Sequence, residues 1–407
     1  MSIDLEELYK DLHANPELSF QEERTAGIVA GHLENLGFTV HRGIGKTGVV
    51  GVLENGEGPA VMLRADMDAL PVKEATGLDY ASTVVGQDHE GREVPVMHAC
   101  GHDVHVTCLL GAVEVLAQQR QDWKGTLIAV FQPAEEWGGG AGAMVNDGLY
   151  DRIPKPDVVL GQHVAPFPAG WFGLRSGVAM ASADSLNVTL HGRGGHGSRP
   201  ETTVDPVLMA AAATVRLQGV VAREIAAGDS AVVTVGQLHA GTKNNIIPET
   251  ATLGLSIRSF SEPTREKVLA AVERIVRSEA AASGADQEPD FHYEERFPLT
   301  VNDGPAAERV REAFRKTFGP QQVIDPGPVS GSEDVGMLAT AAGAPLVFWF
   351  LGGIEPHYAK DFAEQGRLPE DVPSNHSPYF APVIQPTLGI GTDALVTAAR
   401  EFLGTTS

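Results

Sequence analysis

The chemistry-bearing residues of this 407-residue chain fall into a few short segments. His98-Ala-Cys100-Gly-His102-Asp103-Val-His105 packs three imidazoles, a thiol and a carboxylate into eight residues. A cysteine and a histidine two apart cannot share a helix face, but in a turn they can converge on one ion. The same string also reads as a polar loop around a buried cysteine. Phe131-Gln-Pro-Ala-Glu135-Glu136-Trp-Gly-Gly-Gly140 sets adjacent carboxylates at the end of an apolar run. Consecutive residues of an extended chain point to opposite sides, so one carboxylate can ligate a cation while its neighbour faces substrate as a base. The alternative is an acidic surface pair. Gly161-Gln-His163-Val164 and Asn375-His376-Ser-Pro378 each add an imidazole that, taken singly, reads equally as a structural histidine. Together the segments offer thiolate, imidazole and carboxylate, a donor set that suits zinc and related divalent ions.

Elements of defined kind must position these groups. Ala60-Val-Met-Leu-Arg64, Thr126-Leu-Ile-Ala-Val-Phe131, Asp157-Val-Val-Leu160 and Pro345 to Leu351 are compact apolar runs, the pattern of strands buried on both faces. Helix-period segments separate several of them, Val104 to Gln118 among them, so the alternation predicts an α/β fold with a largely parallel sheet flanked by helices. Ligands of such sheets gather at the carboxyl ends of strands. Asp66, Asp68, Glu135, Glu136 and His163 all fall just past expected ends. Near the start, Leu5, Leu8 and Leu12 lie at helical spacing, and Ser19-Phe-Gln-Glu22 has the form of a capping box before a helix stopped by Gly37. From Ala181 the texture changes. Ser185 to His191, Ala231 to His239, Ala251 to Phe260 and Phe291 to Arg296 alternate as half-buried strands around helical stretches at 205–220 and 263–283. That β-α-β-β-α-β order predicts a ferredoxin-like α+β domain inserted into the first. The expected division is 1–181 and 298–407 for the site-bearing domain and 182–297 for the insert.

Thirty Lys and Arg against 53 Asp and Glu leave a net charge of −23. That balance repels phosphate backbones and anionic lipid, which excludes nucleic-acid and polybasic membrane binding. The two cysteines, Cys100 and Cys108, cannot build a disulfide framework. Cys108 in an apolar helical stretch reads as core. An acidic, polar opening segment and apolar runs of strand length predict a cytoplasmic protein without a membrane span.

Six ordered motifs carry a family resemblance: Leu63-Arg-Ala-Asp-Met-Asp-Ala-Leu-Pro71, Met97-His-Ala-Cys-Gly-His-Asp103, Glu135-Glu136, Gly192-Arg-Gly-Gly-His-Gly-Ser-Arg-Pro200, Gly241-Thr-Lys-Asn-Asn-Ile-Ile-Pro248 and Asn375-His-Ser-Pro378. Over nearly its whole length the chain resembles the amidohydrolase branch of the dinuclear zinc aminoacylase/carboxypeptidase family, which includes hippurate hydrolases, N-acyl-amino-acid amidohydrolases and indole-acetyl-amino-acid hydrolases. The resemblance implies two divalent ions (Zn, Mn or Co) on Cys100, His102, Glu136, His163 and His376, with Cys100 bridging them. It implies Glu135 as general acid/base and Asp68 as a carboxylate that orients a ligand. His196, in a lid formed by the inserted domain, would approach the substrate carbonyl, and Asn245 and Arg258 would hold a substrate carboxylate. Trp137 departs from the glycine often found after the glutamate pair. The lid also implies a homodimer.

The expected activity is hydrolysis of the amide bond of small N-acyl-L-amino acids. Glu135 would take a proton from an attacking water and return it to the leaving nitrogen, while His196 stabilises the oxyanion. Three other readings compete: a dipeptidase or carboxypeptidase of the same family, an amidase using Cys100 as nucleophile with His102 or His105, and a non-catalytic binding protein on the same fold.

Overall fold

The computed structural model describes residues 3–366 and 368–405. It divides into two compact units, one built from residues up to Ala179, Val301–Gly327 and those from Asp334 on, the other from Met180–Thr300 with Pro328–Glu333. The first unit begins with helices α1 (Leu5–Ala14) and α2 (Glu23–Asn35) and strands β1 (Thr39–Ile44), β2 (Gly48–Asn55) and β3 (Ala60–Asp66). Helix α3 (His102–Gln118), β4 (Trp123–Gln132) and β5 (Val158–Pro168) follow. The second unit holds β6 (Ser182–His191), α4 (Pro206–Glu224), β7 (Ala231–Ala240), β8 (Thr250–Ser259), α5 (Glu262–Ala282) and β9 (Asp290–Phe297). The chain then returns to the first unit with α6 (Gly304–Phe318), β10 (Leu346–Ile354) and α7 (Ile384–Phe402).

The first unit is the expected mixed α/β layer structure. Its sheet runs β1-β2-β4-β3-β5-β10, continued by Phe172–Gly173 and Val323–Ile324. The four central strands β4, β3, β5 and β10 are mutually parallel. Nearly every residue of these strands is buried, because helices cover both faces. Past His105, helix α3 is apolar on nearly every side, and it is buried along most of its length, as a helix inside the layer must be. Two sequence readings need correction. β5 does not stop at Leu160 but runs to Pro168, since β10 continues beside it with Phe350 opposite His163. His163 therefore lies within a strand rather than past its end. The ladder Arg64↔Gly161 nevertheless leaves it level with Asp66, the last residue of β3. Nor is Ser19–Glu22 a capping box. The helix starts at Glu23 without a side-chain cap, because both side chains are engaged elsewhere.

A buried ion triad ties α1 to the start of α3. His13 Nδ1 lies 2.6 Å from Asp103 Oδ2 and its Nε2 3.1 Å from Glu74 Oε1. Burial opposes charge on this imidazole, but the two carboxylates outweigh it and raise His13 to about 10. A folded-state value above the unfolded one contributes stability that is complete below about pH 6.5 and disappears as pH climbs through about 10. His13→Ala leaves two carboxylates without their cation and is expected to cost about 3–5 kcal/mol near pH 6. In urea unfolding, the gap between parent and variant is expected to narrow steadily toward pH 10.

The second unit is a four-stranded antiparallel sheet in the order β7-β8-β6-β9. Its β-α-β-β-α-β succession is that of the split βαβ unit. Leu186, Val188, Leu190, Leu253, Leu255 and Ile257 meet α4 and α5 through Met209, Ala213, Leu217, Val268, Val272 and Val276. Among the described residues no helix is long and apolar enough to cross a membrane.

Candidate metal centre

The Cys100–His102 turn depends on Gly101. Its φ is +80°, and a Cβ there would sit 2.4 Å from Val164 Cγ1, so only glycine allows both the left-handed turn and the close approach to β5. The turn places Cys100 and His102 on the parallel sheet's carboxyl edge, with His102 opening α3. The Glu135–Glu136 pair follows β4 in a second tight turn. Gly140 closes it, since a Cβ at that position would lie 1.6 Å from Pro133 O. His163 comes from β5. His376 comes from the loop before α7, held by its own amide donating to Ala99 O at 2.8 Å.

These side chains meet. Ligand atoms of Cys100, His102 and His163 lie within 4.8 Å of one another, as do those of Cys100, Glu136 and His376 and those of His102, Glu135 and Glu136. Cys100 Sγ is 3.5 Å from His163 Nε2. His102 Nε2 is 3.6 Å from Glu136 Oε1, and His376 Nε2 is 3.4 Å from Glu136 Oε2. His102 Nε2 and Glu136 Oε1 are buried without a hydrogen-bond partner. Buried polar atoms are rarely left so. With the thiol and the other two imidazoles they form a donor set that divalent cations fit.

The electrostatics point the same way. Burial, then Glu136, Glu135 and Asp66, hold the Cys100 thiol well above its usual range. Burial opposes charge on His102, yet Asp66, Asp68 and Glu136 lift it to about 10. Burial and His105 keep His163 well below the ordinary histidine value, so it is neutral. Its Nδ1 donates to Val164 O at 2.8 Å, which turns the Nε2 lone pair toward Cys100. The pocket is thus rich in negative charge and lone pairs, the environment a cation relieves.

Behind these residues lie side chains that aim them. Asp68 accepts from the amides of Glu135 at 3.1 Å and Glu136 at 3.0 Å, and its Oδ1 is 3.3 Å from His102 Nδ1. Buried Arg64 donates to Asp66 at 2.6 Å and to Gln132 at 2.8 Å. Asp66 in turn accepts from His105 Nδ1, and His105 Nε2 accepts from Val164 N at 2.8 Å. Both nitrogens of His105 are therefore occupied. His98 is buried, and burial lowers it to about 4. Asn375 donates to the carbonyls of Cys100 and Val164 at 3.2 and 3.1 Å. Sequence reading missed Asn375, Ser19 and Glu22 as contributors here. Asn375 adjoins His376 in a motif that was quoted, but its two bonds span 275 and 211 residues, which no local pattern reveals.

In the second unit, Gly195–His196 pairs with Ile246–Ile247, and Gly197 N donates to Asn245 O at 2.8 Å. His196 and Asn245 thus share one corner, where the exposed His196 Nδ1 accepts from Ser198 Oγ at 2.8 Å. Arg258 on β8 donates to Ser332 Oγ at 2.6 Å and is half-buried.

The family model described as Peptidase family M20/M25/M40 matches residues 62–371. A hippurate hydrolase of Campylobacter jejuni is 41% identical over 336 residues, 82% of this chain and 84% of that protein. Thermostable carboxypeptidase 2 of Saccharolobus solfataricus is 38% identical over 351 residues, 85% of each chain. Among solved structures, the YXEP protein of Bacillus subtilis, described as a dinuclear metal binding peptidase from the M20 family, aligns with a TM-score of 0.76 at 28% identity. The alignment covers 97% of this chain and 96% of that one.

Proposed function

The chain belongs to peptidase family M20/M25/M40, and on that premise we propose that this metal-dependent amide hydrolase cleaves the acyl–nitrogen bond of N-acyl-L-amino acids. Cys100, His102, Glu136, His163 and His376 would hold two divalent cations, zinc, manganese or cobalt. When bound, the ions supply an acidified water and a Lewis acid for the acyl oxygen. Glu135 would take a proton from the attacking water and return it to the leaving nitrogen, so that the amine departs neutral. Asp68 holds the amides of Glu135 and Glu136 and faces His102, fixing where base and ligand point. His196 is assigned to the developing oxyanion, and Asn245 and Arg258 to the free carboxylate of the substrate.

The observation that carries this reading is the convergence of His102 Nε2 and Glu136 Oε1, buried and without hydrogen-bond partners, beside Glu135. The test is a screen of N-acetyl, N-benzoyl and longer N-acyl amino acids alongside unblocked dipeptides, with Zn, Mn and Co each supplied. Turnover of the acylated compounds, lost when their carboxylate is esterified, is the expected result. Exclusive turnover of dipeptides would replace this reading by the carboxypeptidase one, which the similarity to thermostable carboxypeptidase 2 favours. A cysteine-nucleophile amidase has less support. His105 is committed at both nitrogens, and the carboxylates around Cys100 oppose a free thiolate.

A further inference from the structure

The Ser19–Glu22 segment, set aside as a helix cap, leads to a residue that the chemistry above does not use. Four non-glycine residues among those described have left-handed φ: Phe20 at 62°, Lys46 at 80°, Ala134 at 47° and His376 at 70°. His376 is one of the proposed ligands. The other three gather around one carboxylate. Glu22, fully buried, accepts through Oε1 from Phe20 N at 2.9 Å and from Ala134 N at 2.8 Å, and through Oε2 from the hydroxyl of Thr47, next to Lys46. Asp68 accepts from the next two amides, Glu135 N and Glu136 N, and from Ser19 Oγ at 2.6 Å. Three successive amides of the turn carrying base and ligand are therefore held by two buried carboxylates from distant parts of the chain.

We propose that Glu22 is a positioning residue for Glu135, holding Ala134 in the left-handed backbone conformation that aims the base. Alanine disfavours that region because its Cβ crowds the following carbonyl, so such a residue persists only where its surroundings over-determine it. A hydrogen bond from Ala134 N to a fixed, buried acceptor does this. Without it the turn relaxes toward right-handed or extended backbone, and the Glu135 carboxylate moves off its line, while Glu136 keeps its amide on Asp68 and the other four ligands, which reach the site from three other segments, stay. The inference rests on Glu135 being the general base.

The experiment compares Glu22→Ala, Glu22→Gln, Ala134→Gly and Glu22→Ala/Ala134→Gly in the metal-loaded enzyme, reading kcat, KM and bound metal. Glu22→Ala is expected to lower kcat about 10-fold, the population factor of a left-handed alanine, with KM and metal content unchanged. Glycine enters positive φ without that cost, so Ala134→Gly added to Glu22→Ala is expected to recover most of the loss relative to Ala134→Gly alone. Gln keeps one oxygen for both amides and is expected to retain kcat within about threefold. Parental kcat in Glu22→Ala, a loss that glycine at 134 does not repair, or equal losses in Ala and Gln would each overturn the proposal. Should Glu22→Ala fail to fold, Glu22→Gln decides: retained kcat upholds the acceptor role and a 10-fold loss overturns it. An active Glu135→Gln enzyme would sink the base assignment itself. An inactive one beside normal Glu22 variants sinks only this inference.

Discussion

Glu135→Gln is expected to lower kcat by about 10²–10⁴ while leaving bound metal at the parental level. The substitution keeps size and hydrogen-bonding reach but removes the carboxylate proposed to take and return a proton. It leaves Cys100, His102, Glu136, His163 and His376 in place. Glu136→Gln is the informative contrast. There the affected oxygens are the ones facing His102 at 3.6 Å and His376 at 3.4 Å, so metal content should fall together with activity. The neighbouring carboxylates thus separate by readout: one loses turnover alone, the other turnover and metal. Metal is measured by elemental analysis after dialysis, and kcat with a saturating N-acyl amino acid. A Glu135→Gln enzyme within a few-fold of the parent would move the base to another residue.

Much of this arrangement was legible because the chemistry lies in short strings at strand ends. The apolar runs at 60–64, 126–131, 157–160 and 345–351 marked all four parallel strands, β5 by its first residues only. Once their carboxyl ends were taken as the site, Asp68, Glu135 and Glu136 fell beside it. His163 was located by the right strand but for an incomplete reason. The extension of β5 to Pro168 depends on β10 alongside, a pairing nearly two hundred positions away in sequence. Ser19–Glu22 shows how a local pattern misleads. Serine followed three residues later by glutamate satisfies the rule for a helix cap, yet the serine binds Asp68 and the glutamate binds Ala134 N, 112 residues on. Oxygen acceptors of this kind serve a helix start or a distant amide equally well. The choice is made by what packs over them, which is tertiary information. The same holds for His105, whose part emerges only when Asp66 and Val164 N close on its two nitrogens.

Exhaustive chelation should abolish amide hydrolysis and lower the unfolding temperature, and both should return when Zn, Mn or Co is added back. The stability change follows from the charges. Asp66, Asp68 and Glu135 are nearly inaccessible to solvent, and Glu136 lies against them through His102. Arg64 offsets Asp66. His102 faces Asp68 at 3.3 Å and Glu136 at 3.6 Å, and divalent cations would add to that compensation; at a free concentration 100 times Kd a bound ion stabilises the folded state by about 2.7 kcal/mol. Cys100→Ala and His102→Ala should each reduce bound metal below two ions per chain and show a smaller thermal response to added metal. His105→Ala should keep the metal more nearly intact, because its nitrogens contact Asp66 and Val164 N rather than the donor cluster. Full activity in protein shown by elemental analysis to hold no transition metal, joined with an acyl adduct trapped on Cys100, would transfer the chemistry to the thiol. Short of that result, a thiol held up by burial and by three surrounding carboxylates loses its proton most readily when cations are bound against it.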